Sequence, residues 1–167
     1  RRIQIYCLRI GSRLGLSVDE MNALRMGALL HDIGNLPLPD HILNKPGCLT
    51  RAEIEKTKIH PIVGASIVET VGFPYPVQPV VRHHHERWDG AGGPDGLSGF
   101  SIPVTARILS VADAYDTMRS CRPYRDAISR DDACKYLRAA AGKKFDPQVV
   151  SIFLDELEHF EREIRTL

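Results

Sequence analysis

The chain has 167 residues, and its 22 basic and 21 acidic side chains leave a formal charge of +1 with histidine neutral. This balance argues against a protein that coats nucleic acid, and a hydrophobic fraction of 43% indicates one folded globular domain over residues 1–167. No apolar run approaches the ~20 residues that cross a bilayer, and no segment resembles a signal peptide, so we expect a cytoplasmic protein without a membrane anchor.

Helical spacing of apolar residues predicts helices along most of the first third of the chain. Apolar residues of 3–14 share one face of a first helix, and a capping box at Ser17–Glu20 starts a second helix that runs to His31. Glycine and proline interrupt the pattern over 34–47, with room for one short helix around Ile42.

The middle of the chain alternates short helices with breaks. A second capping box, Thr50–Glu53, starts a helix toward His60, and Pro61 either kinks that helix or begins the next one. Pro79 can open a helix that ends near His85. Five glycines predict a loop over 88–101, with a small hairpin inside it as an alternative.

Three more helices are predicted in the last third: a long one that starts at Pro103 and carries Tyr115, one over 129–141 and one that starts at Asp146 and carries Leu157. A basic loop is predicted at 122–125. No alternating strand pattern and no repeat occurs. The four cysteines form no CxxC pair, so we expect reduced thiols. The pattern therefore predicts an all-α fold, a single helical bundle of about seven helices.

Five of the seven histidines, His31, His60, His83, His84 and His85, lie in one 55-residue stretch, which His41 interrupts. Taken alone, His31-Asp32 at a helix-to-loop junction is better explained as a hydrogen-bonded histidine beside a surface aspartate. His60 before a proline is, taken alone, a weak signal that often marks a capping or packing residue. The run His83-His84-His85 is stronger, because adjacent histidines are costly in a core unless something binds their nitrogens. On a helix, two of three consecutive side chains can converge on a site while the third points away.

Two carboxylates, Asp113 and Asp116, are neighbours on the predicted helix that starts at Pro103. A carboxylate beside Val111 and Ala112 needs a cation or strong donors, unless the pair is solvated at the edge of the apolar face. Imidazoles and carboxylates without thiolates suit iron, manganese, zinc or nickel. An aspartate that bridges two ions would create a clamp that activates water and stabilises the leaving oxygen of a phosphate ester.

The order of these motifs resembles that of the HD-GYP domains, a branch of the HD phosphohydrolase superfamily. The resemblance covers nearly the whole chain. It rests on HDIG at 31–34, HPIVG at 60–64, HHERWDGAGGPDGL at 84–97, IP at 102–103, ARILSVADAYD at 106–116 and RPYR at 122–125.

The resemblance implies a helical bundle around a metal centre that hydrolyses the bacterial second messenger cyclic di-GMP to pGpG or GMP. It implies two divalent ions, iron or manganese first, with zinc or nickel as alternatives. Catalysis through metal-bound hydroxide would involve His31, Asp32 and Asp113, with Asp32 as the bridge between the ions. The implied metal ligands are His31, Asp32, His60, His84, His85 and Asp113.

The resemblance also implies a substrate side to the site. Asn35 replaces the lysine of the family's HDIGK and Gly93 the tyrosine of its GYP, which removes a charge and an aromatic ring from that side. The family's Glu-x-x-x-His pair would fall before Arg1, so we expect the chain to be the C-terminal part of a longer signalling protein. The implied substrate-binding positions are Arg122, Arg125, Asn35, Gly93 and Asp116.

Three functions stay open on the sequence. The first is an active cyclic di-GMP phosphodiesterase, and the second is a module that binds the dinucleotide or a partner without turnover. The third is an HD hydrolase acting on another nucleotide or phosphoester. The implied partners are the cyclic dinucleotide, a receiver or sensory domain in the same polypeptide and a diguanylate cyclase, with no nucleic acid polymer and no membrane. The oligomeric state is left open.

Overall fold

The computed structural model describes residues 1–45, 47–121 and 126–165. Within these residues the chain forms ten α-helices and two short 3-10 turns, at Ile33–Asn35 and Gly99–Ser101, and no strand. The α-helices are α1 (Arg2–Arg13), α2 (Val18–Leu30), α3 (Asp40–Leu43), α4 (Arg51–Thr57), α5 (His60–Val71), α6 (Val77–His83), α7 (Val104–Arg119), α8 (Arg130–Ala140), α9 (Pro147–Asp155) and α10 (Leu157–Arg165).

The all-α prediction is confirmed. Seven of the helices have nine or more residues, and both predicted capping boxes are present, at Ser17–Glu20 and Thr50–Glu53. Residues 88–101 form the predicted loop, whose only regular element is the 3-10 turn at Gly99–Ser101. In the described part of the chain, no helix is long and apolar enough to cross a bilayer.

Two helix boundaries differ from the prediction. α6 begins at Val77, two residues before Pro79, because a proline within the first turn removes no helical hydrogen bond. The predicted last helix divides at Glu156, between α9 and α10. The buried Glu156 carboxylate accepts hydrogen bonds from Arg9 and Arg13 of α1, so a tertiary ion pair coincides with the break.

The core forms around α7, which packs against α1, α2, α6, α8 and α9. On its buried side, Ile108, Leu109, Val111 and Ala112 are fully inaccessible to solvent. Next to them, α1, α7, α9 and α10 contribute a cluster of aromatic rings that meet edge to face or at tilted angles. These rings belong to Tyr6, Tyr115, Phe153 and Phe160.

Replacing Phe153 by alanine should destabilise the fold strongly. The ring is fully buried, with centroids of Tyr115, Phe160 and Tyr6 at 4.8, 5.2 and 5.4 Å. We expect Phe153→Ala to lower the free energy of unfolding by about 3–5 kcal/mol, measured by urea titration. The control Val18→Ala, at a side chain that is 76% exposed, should change it by less than about 0.5 kcal/mol. Equal effects of the two variants would contradict this account of the core.

Candidate metal centre

Helix ends bring the predicted ligands together beside α7. His31 is the residue that caps the C-terminus of α2, and Asp32 follows it at the start of a 3-10 turn. His60 begins α5. His84 caps the C-terminus of α6 and His85 follows it, while Asp113 lies within α7. All six predicted ligands therefore come from residues at helix ends or on the central helix.

Three of the imidazoles are oriented by backbone carbonyls three residues earlier in the chain. The carbonyl can only accept, so Nδ1 of each ring carries the proton and Nε2 carries a lone pair directed into the cluster. These carbonyls belong to the last turns of α2, α4 and α6, where helical partners are lacking. The pairs are His31 Nδ1 with Ala28 O at 3.2 Å, His60 Nδ1 with Thr57 O at 2.7 Å and His84 Nδ1 with Val81 O at 2.7 Å.

The Nε2 atoms of the imidazoles lie close together. His60 Nε2 is 3.3 Å from His84 Nε2 and 3.2 Å from His85 Nε2. Burial lowers the pKa of His84 well below its usual value and that of His85 to about 4, so both rings are neutral near pH 7. Two lone pairs that face each other at 3.3 Å repel, and a cation between them removes that repulsion. The donor set of His60, His84 and His85 therefore fits a divalent metal ion.

The two carboxylates complete the cluster. The Oδ1 atom of Asp32 is 3.6 Å from His60 Nε2, and its Oδ2 atom is 3.3 Å from His31 Nε2. The Oδ1 atom of Asp113 is 3.7 Å from His31 Nε2. Asp32 thus spans two groups of nitrogen donors, as an aspartate that bridges two ions must do.

The charges of the carboxylates act on His31. Burial disfavours its protonated form, but Asp113 and Asp32 outweigh burial and raise its pKa. Burial would raise the pKa of Asp113, but the neighbouring imidazoles of His31, His84 and His85 lower it. The same carboxylates that attract a proton to His31 attract a metal cation to this side of the cluster.

Gly34 allows the turn that carries Asp32 to pack on the start of α5. A Cβ atom at Gly34 would lie 1.9 Å from the carbonyl oxygen of His60 and 2.6 Å from the amide nitrogen of Gly64. Only glycine permits this approach, which brings Asp32 near His60. The Asp32 side chain itself is 64% exposed, and Asn35 Nδ2 donates a hydrogen bond to its Oδ1 atom at 3.2 Å.

The other predicted substrate positions have different surroundings. A Cβ atom at Gly93 would meet nothing within 4 Å, so a side chain has room there. Asp116 accepts hydrogen bonds from Arg2, with Nε to Oδ1 at 2.7 Å, and its role in substrate binding stays a prediction. Arg122 and Arg125 lie outside the described residues.

The remaining histidine of the run, His83, lies apart from the cluster that contains His84 and His85. Its Nδ1 atom is buried without a hydrogen-bond partner, 3.5 Å from Asp95 Oδ2 and 3.8 Å from Glu86 Oε1. Sequence reasoning missed Glu86, whose carboxylate is buried directly after the two cluster histidines. An acidic residue at the end of an apolar helix and before a glycine loop was the available signal.

Comparison with known proteins identifies relatives along nearly the whole chain. A family model described as HD domain matches residues 1–149. The response regulator RpfG of Xanthomonas campestris, a cyclic di-GMP phosphodiesterase, is 42% identical over 87% of this chain and 39% of its own length. A cyclic di-GMP phosphodiesterase of Thermotoga maritima is 39% identical over 87% of this chain and 40% of its own length. The chain thus spans about two fifths of these curated relatives.

Further similar proteins are a phosphodiesterase named for 3'3'-cGAMP and two proteins with solved structures. The 3'3'-cGAMP-specific phosphodiesterase 2 of Vibrio cholerae is 32% identical over 96% of this chain and 31% of its own length. The HDG"Y"P protein Bd1817 of Bdellovibrio bacteriovorus superposes with a TM-score of 0.75 at 25% identity, over 93% of this chain and 50% of that one. A cyclic GMP-AMP phosphodiesterase of V. cholerae shares the fold, with a TM-score of 0.74 at 21% identity over 95% of this chain and 44% of that one.

Gly34→Ala should disrupt the metal centre, because the new methyl group would push the Asp32 turn away from α5. We expect most of the bound Mn(II) to be lost, measured by elemental analysis after gel filtration, with helix content followed by circular dichroism. The control Gly93→Ala should keep both metal and helix content, since its methyl group enters open space. A folded Gly34→Ala protein that binds Mn(II) like the unaltered chain would contradict this role of Gly34.

Proposed function

Because the chain belongs to the HD domain family and to its HD-GYP branch, we propose that it is a metal-dependent phosphodiesterase that hydrolyses cyclic di-GMP to pGpG or GMP. The observation that carries the proposal is the position of Asp32, whose two carboxylate oxygens face His60 on one side and His31 on the other. This arrangement supports a pair of metal ions rather than one.

We assign the ligands to two groups. Asp32, His60, His84 and His85 would hold one ion, and His31, Asp32 and Asp113 the other. When bound, two divalent ions polarise a water molecule and stabilise the charge on the leaving oxygen of a phosphate ester. The donors, imidazoles and carboxylates without thiolates, suit iron, manganese, zinc or nickel. The resemblance to HD-GYP domains puts iron or manganese first.

Other residues of the chain would orient the metal ligands and bind the substrate. The carbonyl-bound imidazoles keep their lone pairs directed at the metals, and Asp32 lies on the solvent side, where substrate arrives. We propose that Arg122 and Arg125 bind substrate phosphates, since guanidinium groups pair with phosphate oxygens in a fork. Together with the metal ions, they would make a positive pocket in a chain of nearly zero net charge.

A binding module without turnover is the second candidate function. The observation that favours it is the substrate side of the site, where Asn35 contributes no charge and Gly93 leaves open space.

A relative specific for 3'3'-cGAMP makes that dinucleotide the alternative substrate. Both dinucleotides therefore belong in the assay.

We also propose that this domain works within a longer polypeptide. The curated relatives are more than twice as long as the part that this chain matches, and RpfG is named a response regulator. A receiver or sensory domain would then control the hydrolase, and a diguanylate cyclase is the proposed protein partner.

Asp32→Asn should abolish hydrolysis, because it removes the charge shared by the two proposed ions. We expect the rate on cyclic di-GMP to fall by more than about 100-fold, the upper figure for residues that only orient a ligand. The protein should be purified without oxygen and loaded with Fe(II) or Mn(II), with products separated by chromatography. The control Asp19→Asn, an exposed position in α2, should keep full activity.

The outcomes separate the candidate functions. Metal-loaded protein that gives no product above the Asp32→Asn background would overturn the phosphodiesterase proposal. Tight binding of cyclic di-GMP in that protein would favour the binding module. Turnover of 3'3'-cGAMP alone would move the substrate to that dinucleotide.

The double variant Asn35→Lys, Gly93→Tyr should hydrolyse cyclic di-GMP faster than the unaltered chain. It restores a charge beside Asp32 and an aromatic ring in open space. A charge-assisted contact contributes about 1.5–3 kcal/mol, so we expect roughly a tenfold or larger gain in kcat/KM. Asn44→Lys adds the same charge at an exposed position of the chain and should have no effect. An unchanged rate in the double variant would mean that these positions do not limit activity.

A further inference from the structure

The buried carboxylate of Glu86 lies immediately after the two cluster histidines His84 and His85. Its side chain has no exposed surface. A carboxylate in such an environment is costly unless hydrogen-bond donors surround it. The positions of those donors therefore indicate what the residue holds together.

The donors are backbone amides of the glycine loop. The N–H of Asp95 donates to Glu86 Oε1 at 2.7 Å, and the N–H of Leu97 donates to Oε2 at 3.1 Å. Both oxygens of the carboxylate thus bind one segment of the loop. Hydrogen bonds to a charged acceptor are about twice as strong as neutral ones, so this contact fixes the loop to the turn that carries the histidines.

Packing brings the loop and the turn together at a second place. A Cβ atom at Gly92 would lie 2.3 Å from the amide nitrogen of Arg87 and 2.7 Å from the carbonyl oxygen of His85. The N–H of Gly93 donates to that same carbonyl at 3.4 Å. The loop therefore contacts the backbone of a proposed metal ligand directly.

The turn needs such support because helix α6 ends at His83. His84 and His85 follow that end, beyond the regular hydrogen bonds of the helix. We propose that Glu86 is a positioning residue, which holds the glycine loop against this turn and so fixes His84 and His85 in the geometry that binds metal. The inference rests on the metal site of the proposed function.

The ligand-type atoms near Glu86 belong to this contact rather than to a further metal. His83, Glu86 and Asp95 place such atoms within 4.8 Å of one another. The Glu86 oxygens already accept two amides, and both oxygens of Asp95 accept hydrogen bonds from Arg82 at 2.7 and 2.8 Å. The Arg82 guanidinium also places a positive charge next to the Asp95 carboxylate, which disfavours a metal cation there.

The first experiment compares Glu86→Gln with Glu156→Gln in Co(II) titrations followed by visible absorption. Both carboxylates are buried, but Glu156 pairs with Arg9 and Arg13 at the junction of α9 and α10. We expect Glu86→Gln to weaken Co(II) binding about 10–100-fold and to change the absorption of the bound ion. Glu156→Gln should lower thermal stability and leave both Co(II) readouts unchanged.

A Glu86→Gln protein that binds Co(II) with unchanged affinity and spectrum would overturn the proposal, as would equal effects of the two variants. If Glu86→Gln does not fold, amide hydrogen exchange of the unaltered chain tests the same contact. Binding that orders the turn must order the loop in return, so Co(II) should slow exchange at Asp95 and Leu97. Unchanged exchange at those two amides on Co(II) binding would also overturn the proposal.

These readouts need no turnover. If the chain shows the expected Co(II) and exchange effects but hydrolyses neither dinucleotide, that result would contradict the proposed activity and support the role of Glu86.

Discussion

Hydrogen bonds from imidazole Nδ1 atoms to backbone carbonyls determine how this site is built. His31, His60 and His84 each use a carbonyl three residues earlier, and all three carbonyls lie in the last turn of a helix. Such carbonyls have no hydrogen-bond partner within the helix, so they can orient the imidazoles and no further side chain is needed for this. The end of a helix, rather than a specific neighbouring residue, sets the direction of each lone pair. A shift of one residue in a helix end would turn the ring away.

Helix α7 links this site to the core. The same helix contributes fully buried aliphatic residues such as Val111 and Ala112 and, next to them, the carboxylate of Asp113. A charge at that place is compatible with the packed core because three imidazoles from two other segments lie near it. The stability of the core and the geometry of the site therefore depend on one rigid element.

The sequence predicted the helices because their signals are local, whereas the members of the cluster were implied by the resemblance to HD-GYP domains. Capping boxes mark the starts of α2 and α4, and the breaks after His31 and His85 follow from glycine and proline. The division at Glu156 could not be predicted, since it coincides with an ion pair to α1, more than 140 residues away in the chain. The contact of Glu86 with the glycine loop was missed for a similar reason. Its donors are backbone amides, and the residue letters do not show where those amides point.

The uneven exposure of the cluster gives the site a direction. Asp32 is 64% exposed, whereas His84, at the other end of the same donor group, is 1% exposed. An ion arriving from solvent would meet a hydrated carboxylate first and a dry imidazole last. The ion would then exchange its water ligands for protein ligands in the order of their burial. The exposed carboxylate of Asp32 would displace the first water molecule. Chelators would reach the site from that side as well, so the exposed carboxylate is where both metal entry and metal removal would begin.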